Sequence, residues 1–302
     1  MWCRGSGSTS SPRRGCGSGS GGVRVTVCEL PYETGALEAA WARLCEHTTR
    51  YRSELVLLPE FAFVEAVWEE ARFDAVRWSA ALAGCEEWRR RLPELNAAQV
   101  VGTGPIDVDG RRFNQGYLWS PAGGAAALRR KFLLPEEPGW WEARWCERGD
   151  AELPAFRAGA LSFGLSICTE LWAVESCAAY ASLGVGAVLS PRATAASTTE
   201  RWLSAGVVTA VRSGAFSVSS NRVDRAGGCG GVGWIVSPWG EVLARTSAEA
   251  PFATVDIDLA APGAARAAYP GYVFAAAGTG RSWRPGNSTI TLSRSRSSGR
   301  SS

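Results

Sequence analysis

The sequence predicts an α/β protein in which helices cover a mixed sheet or a pair of sheets. Two observations carry that reading. Short, wholly apolar runs recur at 55–58 (Leu-Val-Leu-Leu) and 186–190 (Gly-Ala-Val-Leu-Ser), the pattern of strands covered on both faces. Helix-length stretches lie between such runs, while turn signals join other strands into hairpins. Alternating strands and helices with added hairpins imply sheets with helices outside. Residues 23–280 contain no linker-like break, so one domain is expected there.

Taken in order, residues 23–30 alternate and are β-branched, giving a first strand. Thr34 is placed to cap a helix over 35–51. The apolar strand 55–58 follows, then Pro59, Glu60 and a helical region over 65–95. Strands at 100–107 and 114–119 flank a tight turn at Asp109 and Gly110. The next strand, 125–131, ends in Arg129, Arg130 and Lys131, a triplet that by itself reads as a solvated basic edge. A loop over 132–149 holds Glu136, Glu137, Glu142 and the pair Trp140, Trp141. Strands at 152–157 and 161–168 lead to Cys168, and a helix is expected over 170–183. After strand 186–190, Thr198 or Thr199 caps a helix to 213. Strand 216–221, a hairpin of 233–237 with 241–245, a strand at 252–258 and an Ala-rich helix complete the body.

Charge divides the 302 residues unevenly. The net +3 includes Arg4, Arg13 and Arg14 in residues 1–22, and Arg281, Arg284, Arg294, Arg296 and Arg300 in residues 281–302, with no acid in either tail. Without those eight charges the body stands at −5, which argues against a basic nucleic-acid face. Both tails are Gly/Ser/Arg-rich and read as disordered. The first lacks the apolar centre of a secretory signal, and its Arg/Ser content also suits an organelle transit peptide. No apolar run reaches the roughly 18 residues of a membrane helix. Nine cysteines without Cys-x-x-Cys pairs, and one histidine (His47), argue against zinc ligation and against a disulfide framework. Reduced cysteines in a cytoplasmic setting fit best. With His47 as the sole imidazole, a catalytic cysteine needs another base.

Three positions then call for a common explanation. Cys168 ends a strand where a helix is expected to begin, and the free N–H groups of a helix start favour a thiolate. Cysteine is often simply buried, so Cys168 alone carries no conclusion. Glu60 follows a buried strand, and position alone leaves it between a solvated helix start and the strand-end rim that hosts α/β chemistry. Lys131 also follows a strand. Together they complement one another: Glu60 takes a thiol proton, and Lys131 stabilises the charge formed when sulfur attacks a carbonyl.

In this order the residues resemble the nitrilase superfamily of carbon–nitrogen hydrolases. The resemblance rests on Leu57-Leu-Pro-Glu60-Phe61, Arg130-Lys131-Phe-Leu-Leu-Pro135 and Gly164-Leu-Ser-Ile-Cys168-Thr-Glu-Leu-Trp172. Ser220-Asn-Arg-Val-Asp224 and Gly231-Val-Gly-Trp-Ile-Val-Ser-Pro-Trp-Gly240 support it, and the matches span about residues 23–275. It implies a four-layer αββα sandwich, with Cys168 as nucleophile, Glu60 as general base and Lys131 as oxyanion stabiliser. A second family glutamate corresponds best to Glu142, with Glu136 and Glu137 as alternatives. Trp141, Thr169 and Arg192 are the expected substrate-binding residues. No cofactor or metal is implied. Thr169 stands where many nitrilases carry Trp and many amidases Tyr, so a small amide is expected ahead of a nitrile. A homodimer or larger oligomer is also implied, with Trp172, Trp202 and Leu203 as contact candidates within 170–213. A silent binding scaffold and nucleic-acid binding through the Ser/Arg tail are the competing functions.

Overall fold

The computed structural model describes residues 21–65, 67–224 and 228–276. The remainder of both expected tails lies outside the described residues. β1 (Gly22–Leu30) is the hub. Its Val23, Val25 and Val27 enter one core, and Cys28 and Leu30 enter another, because successive strand side chains face opposite ways. α1 (Thr34–Tyr51) follows, burying Leu37, Trp41, Leu44 and Thr48, four positions that share one helical stripe. β2 (Leu55–Leu57) divides similarly: Leu55 and Leu57 face the same core as Val25, while Val56 faces α1's core.

The expected helical region at 65–95 is in fact broken. A short 3-10 turn, Val67–Glu69, precedes α2 (Ala75–Arg89), and a second 3-10 turn occupies Leu92–Leu95. The break falls where the Asp74 carboxylate accepts from the N–H groups of Val76 (2.8 Å) and Arg77 (3.1 Å), starting α2. β3 (Gln99–Val108) and β4 (Arg111–Ser120) form the hairpin, and Asp109 (φ 51°) and Gly110 (φ 75°) adopt the left-handed pair such a turn requires. β5 (Gly124–Arg130) completes this side. α3 (Glu142–Trp145) interrupts what the sequence reads as a continuous loop.

The second half begins with β6 (Phe156–Ala158), shorter than the strand expected at 152–157, and β7 (Leu161–Leu165). The helix expected over 170–183 is split into a 3-10 turn, Cys168–Trp172, and α4 (Ser176–Ser182). β8 (Ala187–Arg192), α5 (Thr199–Ser213), β9 (Phe216–Arg222), β10 (Trp234–Val236) and β11 (Val242–Arg245) follow. β12 (Phe252–Asp258) returns antiparallel to β1, and α6 (Ala261–Ala267) and α7 (Gly271–Ala276) end the described chain.

One half has strand order β5-β4-β3-β2-β1-β12, and the other β6-β7-β8-β9-β10-β11. They join where Glu29 and Leu30 of β1 pair in parallel with Asn221 and Arg222 of β9. Val25, Leu57, Val101, Phe163, Leu189 and Trp234 share the core between the two halves. α1 and α2 pack on the outer face of the first, and α4 and α5 on the second. The order helix, sheet, sheet, helix is the expected αββα sandwich. β2, β5, β7 and β8 all end at its functional rim.

Packing between α5 and the second sheet is close enough to test. A Cβ on Gly206 would lie 2.7 Å from Nε1 and 2.8 Å from Cε2 of Trp234, a fully buried ring. Gly→Ala inside a helix ordinarily gains up to about 1 kcal/mol, whereas overpacking a rigid core costs about 1–3 kcal/mol. Gly206→Ala should therefore lower stability in urea unfolding. A variant more stable than the parent would contradict this packing.

Candidate active site

Glu60, Lys131 and Cys168 are each set by a strand end, and Glu142 by α3. Glu60 lies three residues beyond β2 and is 3% exposed. Its backbone is pinned from three sides. Glu60 N–H donates to the Arg192 carbonyl (3.2 Å), Phe61 N–H to Thr103 Oγ1 (3.0 Å), and Arg222 Nη1 to the Phe61 carbonyl (2.8 Å). Phe61 itself sits at φ 48°, a conformation non-glycine residues rarely adopt unless their surroundings impose it.

Lys131 follows β5, with its N–H donating to the Asn114 carbonyl (2.9 Å). Strand alternation turns Arg129 and Lys131 to the same inner side, and both are buried. The solvated basic edge suggested by the triplet is thus corrected, because two of its three cations meet carboxylates inside the fold. Lys131 Nζ donates to Glu60 Oε1 at 2.9 Å and to Glu142 Oε2. Asn114 Nδ2, from β4, donates to Glu60 Oε1 (2.8 Å) and Glu142 Oε1 (2.9 Å). Of the three candidate glutamates, Glu142 enters the site. Glu136 instead pairs with Arg144 at the surface, and Glu137 is exposed at the mouth of the pocket.

Cys168 is reached through β7 and stands at φ 50°, at the start of the 3-10 turn. Its thiol is directed toward the Ala193 carbonyl at 3.9 Å. Glu170 holds this turn in place. Its carboxylate accepts from Ile167 N–H (2.8 Å), from Phe132 N–H (2.8 Å) and from Arg129 Nη1. One buried carboxylate therefore ties the residue before Cys168 to the residue after Lys131. Cys168, with its left-handed backbone, therefore does not begin a regular α-helix.

Electrostatics corrects a second expectation. Burial pushes the Cys168 thiol pKa up, and the Glu60 carboxylate raises it further, against an opposing effect from Lys131. These surroundings favour the neutral thiol over the thiolate that a helix start would favour. Burial alone would lower the Lys131 pKa, but the Glu142 and Glu60 carboxylates more than reverse it, so the ammonium is held well above its ordinary range. Glu142 is pushed up to about 7, chiefly by burial and, against the attraction of Lys131, by its neighbour Glu60.

These groups open on a pocket of about 250 Å³. Its walls carry Trp68, Trp140, Trp172 and Trp202, with Thr169, Thr194 and Thr198 between them. Trp172 and Trp202 lie against each other with ring centroids 5.0 Å apart. Two expected substrate-binding residues are placed elsewhere. Trp141 is half-buried beside the first core and donates its N–H to the Trp68 carbonyl (2.7 Å), leaving the wall to Trp140. Arg192 is fully buried, with Nε on Ser219 Oγ (2.7 Å), Nη1 on Thr194 Oγ1 (2.7 Å) and its guanidinium 4.0 Å from the Trp234 ring. It braces the Thr194 wall instead of lining it. Asn221 does likewise, accepting from Thr194 N–H at 3.0 Å and donating to its carbonyl at 3.2 Å. Sequence reasoning missed Asn114 and the clamp role of Glu170. An asparagine inside a strand was the available signal for the first. Among the described residues no group of three or more His, Cys, Asp or Glu is arranged to hold a metal, and no helix is long and apolar enough to cross a membrane.

The family model for carbon-nitrogen hydrolases matches residues 24–267, and the chain belongs to that family. The fold is shared with the carbon-nitrogen hydrolase of Helicobacter pylori G27, at 18% identity and a TM-score of 0.74, over 83% of this chain and 94% of that one. A CN-hydrolase superfamily protein of Xanthomonas campestris aligns at 17% identity and a TM-score of 0.70, over 88% and 99%. An amidase from Nesterenkonia sp. aligns at 19% identity and 0.68, over 83% and 96%. No curated protein sequence matches at a significant level.

Two outcomes follow from the site's charges. Glu170→Ala leaves Arg129 buried without its carboxylate, which should cost about 3–5 kcal/mol of unfolding free energy. Unfolding at parental denaturant concentration would show the clamp to be dispensable. Burial and the Glu60 carboxylate raise the Glu142 pKa to about 7, so kcat/KM should fall as pH drops through that region. Glu142→Gln should remove or displace this acid limb in a pH–rate profile.

Proposed function

We propose that the protein hydrolyses a small amide through a Cys168 thioester. The observation that carries this reading is the meeting of Glu60, Lys131 and Glu142 at the pocket that Cys168 lines. His47, in contrast, lies on α1 and bonds Thr254 Oγ1 at 2.9 Å, which supports a carboxylate as the base. Glu60 takes the Sγ proton as sulfur bonds the amide carbon, and the carbonyl electrons move to oxygen. The Lys131 ammonium faces that negative charge. When the oxyanion collapses the C–N bond breaks, and nitrogen leaves as ammonia or amine with the proton held by Glu60. Water then gives a proton to Glu60 and its oxygen to the thioester carbon. The C–S bond breaks, the proton returns to sulfur, and a carboxylic acid departs. Glu142 and Asn114 hold Lys131 and Glu60 in register through both halves.

Thr169 lacks the Trp that nitrilases commonly carry there, which counts against a nitrile, and it departs equally from the Tyr of many amidases. Support also comes from variants of the Nesterenkonia amidase, one in complex with acrylamide and another with the acetamide moiety of fluoroacetamide added at its active-site cysteine. The tryptophan walls suit an acyl group with apolar surface.

Ammonia and acid release from matched amide and nitrile pairs tests the reading. Amides should turn over, and Cys168→Ala should lower the rate by at least about 10³-fold while the chain stays folded. Glu60→Gln and Lys131→Met should each disable turnover without unfolding. Turnover of the nitriles with inert amides, or an active Cys168→Ala variant, would overturn it.

A further inference from the structure

Beyond the buried cluster, two charged residues line the pocket among the described residues, Glu137 and Arg201. They come from different elements. Glu137 belongs to the turn it closes with Trp140, whose N–H donates to the Glu137 carbonyl at 2.8 Å. Arg201 lies in the first turn of α5, next to Trp202. Each charge therefore adjoins a tryptophan of the pocket wall.

Their sequence neighbours are treated differently. Glu136 pairs with Arg144 at 2.6 Å and Glu200 pairs with Arg245 at 2.6 Å, both on the outer surface. Glu137 and Arg201 form no ion pair among the described residues, either with each other or with a third group. The catalytic end contrasts with this, since Lys131, Glu60 and Glu142 saturate one another. One opening thus presents a free anion and a free cation that do not close on each other. An apolar acyl group alone would leave both in water.

We propose, building on the amidase reading, that the substrate carries both a carboxylate and an ammonium at the end away from the scissile amide. Its chemical class is a free amino acid with an amide in its side chain. The planar guanidinium of Arg201 offers paired N–H donors to the carboxylate. Glu137 takes the ammonium. The short methylene chain between the two ends passes the indole walls, and about 250 Å³ suits a molecule of this size. Substrates lacking either charge bind the same apolar walls without filling the rim.

Four primary amides of matched chain length test this on the full chain: an alkyl amide, the same with a terminal carboxylate, with a terminal ammonium, and with both on the last carbon. The doubly charged amide should show at least about tenfold higher kcat/KM than the alkyl amide, the size of one good charge-assisted contact. Arg201→Gln should lower kcat/KM for the carboxylate-bearing pair about tenfold more than for the other two. Glu137→Gln should do the same for the ammonium-bearing pair. The double exchange Arg201→Glu with Glu137→Arg, at two exposed positions, checks that the effect follows charge and not folding. Equal turnover of all four amides, or variants that lower all four alike, overturns the proposal while leaving the amidase reading in place. Absence of ammonia from every one of the four overturns both.

Discussion

A lysine ammonium held between two carboxylates, away from water, is the constraint around which this protein is arranged. Burying such charges costs several kcal/mol per ion unless geometry and extra hydrogen bonds offset it. Here Asn114 donates to both carboxylates, so Lys131 does not have to satisfy Glu60 and Glu142 by itself. Burial, with Glu60 beside it, raises Glu142, and burial together with Glu60 also raises the Cys168 thiol. That arrangement is what a cysteine without an imidazole needs. The surroundings favour the protonated sulfur, and the Glu60 carboxylate stands beside it.

Holding Glu60, Lys131 and Cys168 from three strand ends, and Glu142 from α3, in register demands rigid backbone, and the chain supplies it through polar side chains that bond main-chain atoms. Glu170 links the approaches to Cys168 and Lys131, Arg222 fixes the Phe61 carbonyl, and Asn221 fixes Thr194. Two non-glycine residues with positive φ, Phe61 and Cys168, sit where this scaffolding is densest. Strained backbone persists where the surroundings over-determine it. Both adjoin the reacting groups.

Much of this was legible in the sequence because strands have a simple period. Runs such as 55–58 and 186–190 announce double-sided burial, and a polar residue directly after one stands out against them. That is how Glu60, Lys131 and Cys168 come forward, and the family pattern orders them. What stayed hidden depends on partners distant in sequence. Arg129 is an ordinary surface cation until Glu170, 41 positions on, is brought to it. Asn114 gains its meaning from two acids on other elements. The choice between Trp140 and Trp141 turns on the path of a single turn, which periodicity does not reach. Arg192 has the chemistry of a ligand-binding residue, yet Ser219 and Thr194 occupy its donors.

The two halves of the sandwich meet along a brief parallel seam, Glu29 with Asn221 and Leu30 with Arg222. Glu60 and Lys131 descend from one half, and Cys168 from the other. Cys168 and Glu60 are therefore carried on separate sheets, and their separation depends on how those sheets are seated. A shift of one sheet against the other would change the distance between the Cys168 sulfur and the Glu60 carboxylate. Turnover thus reports on the docking of two half-proteins, a property that a spectroscopic measure of strand or helix content would not see.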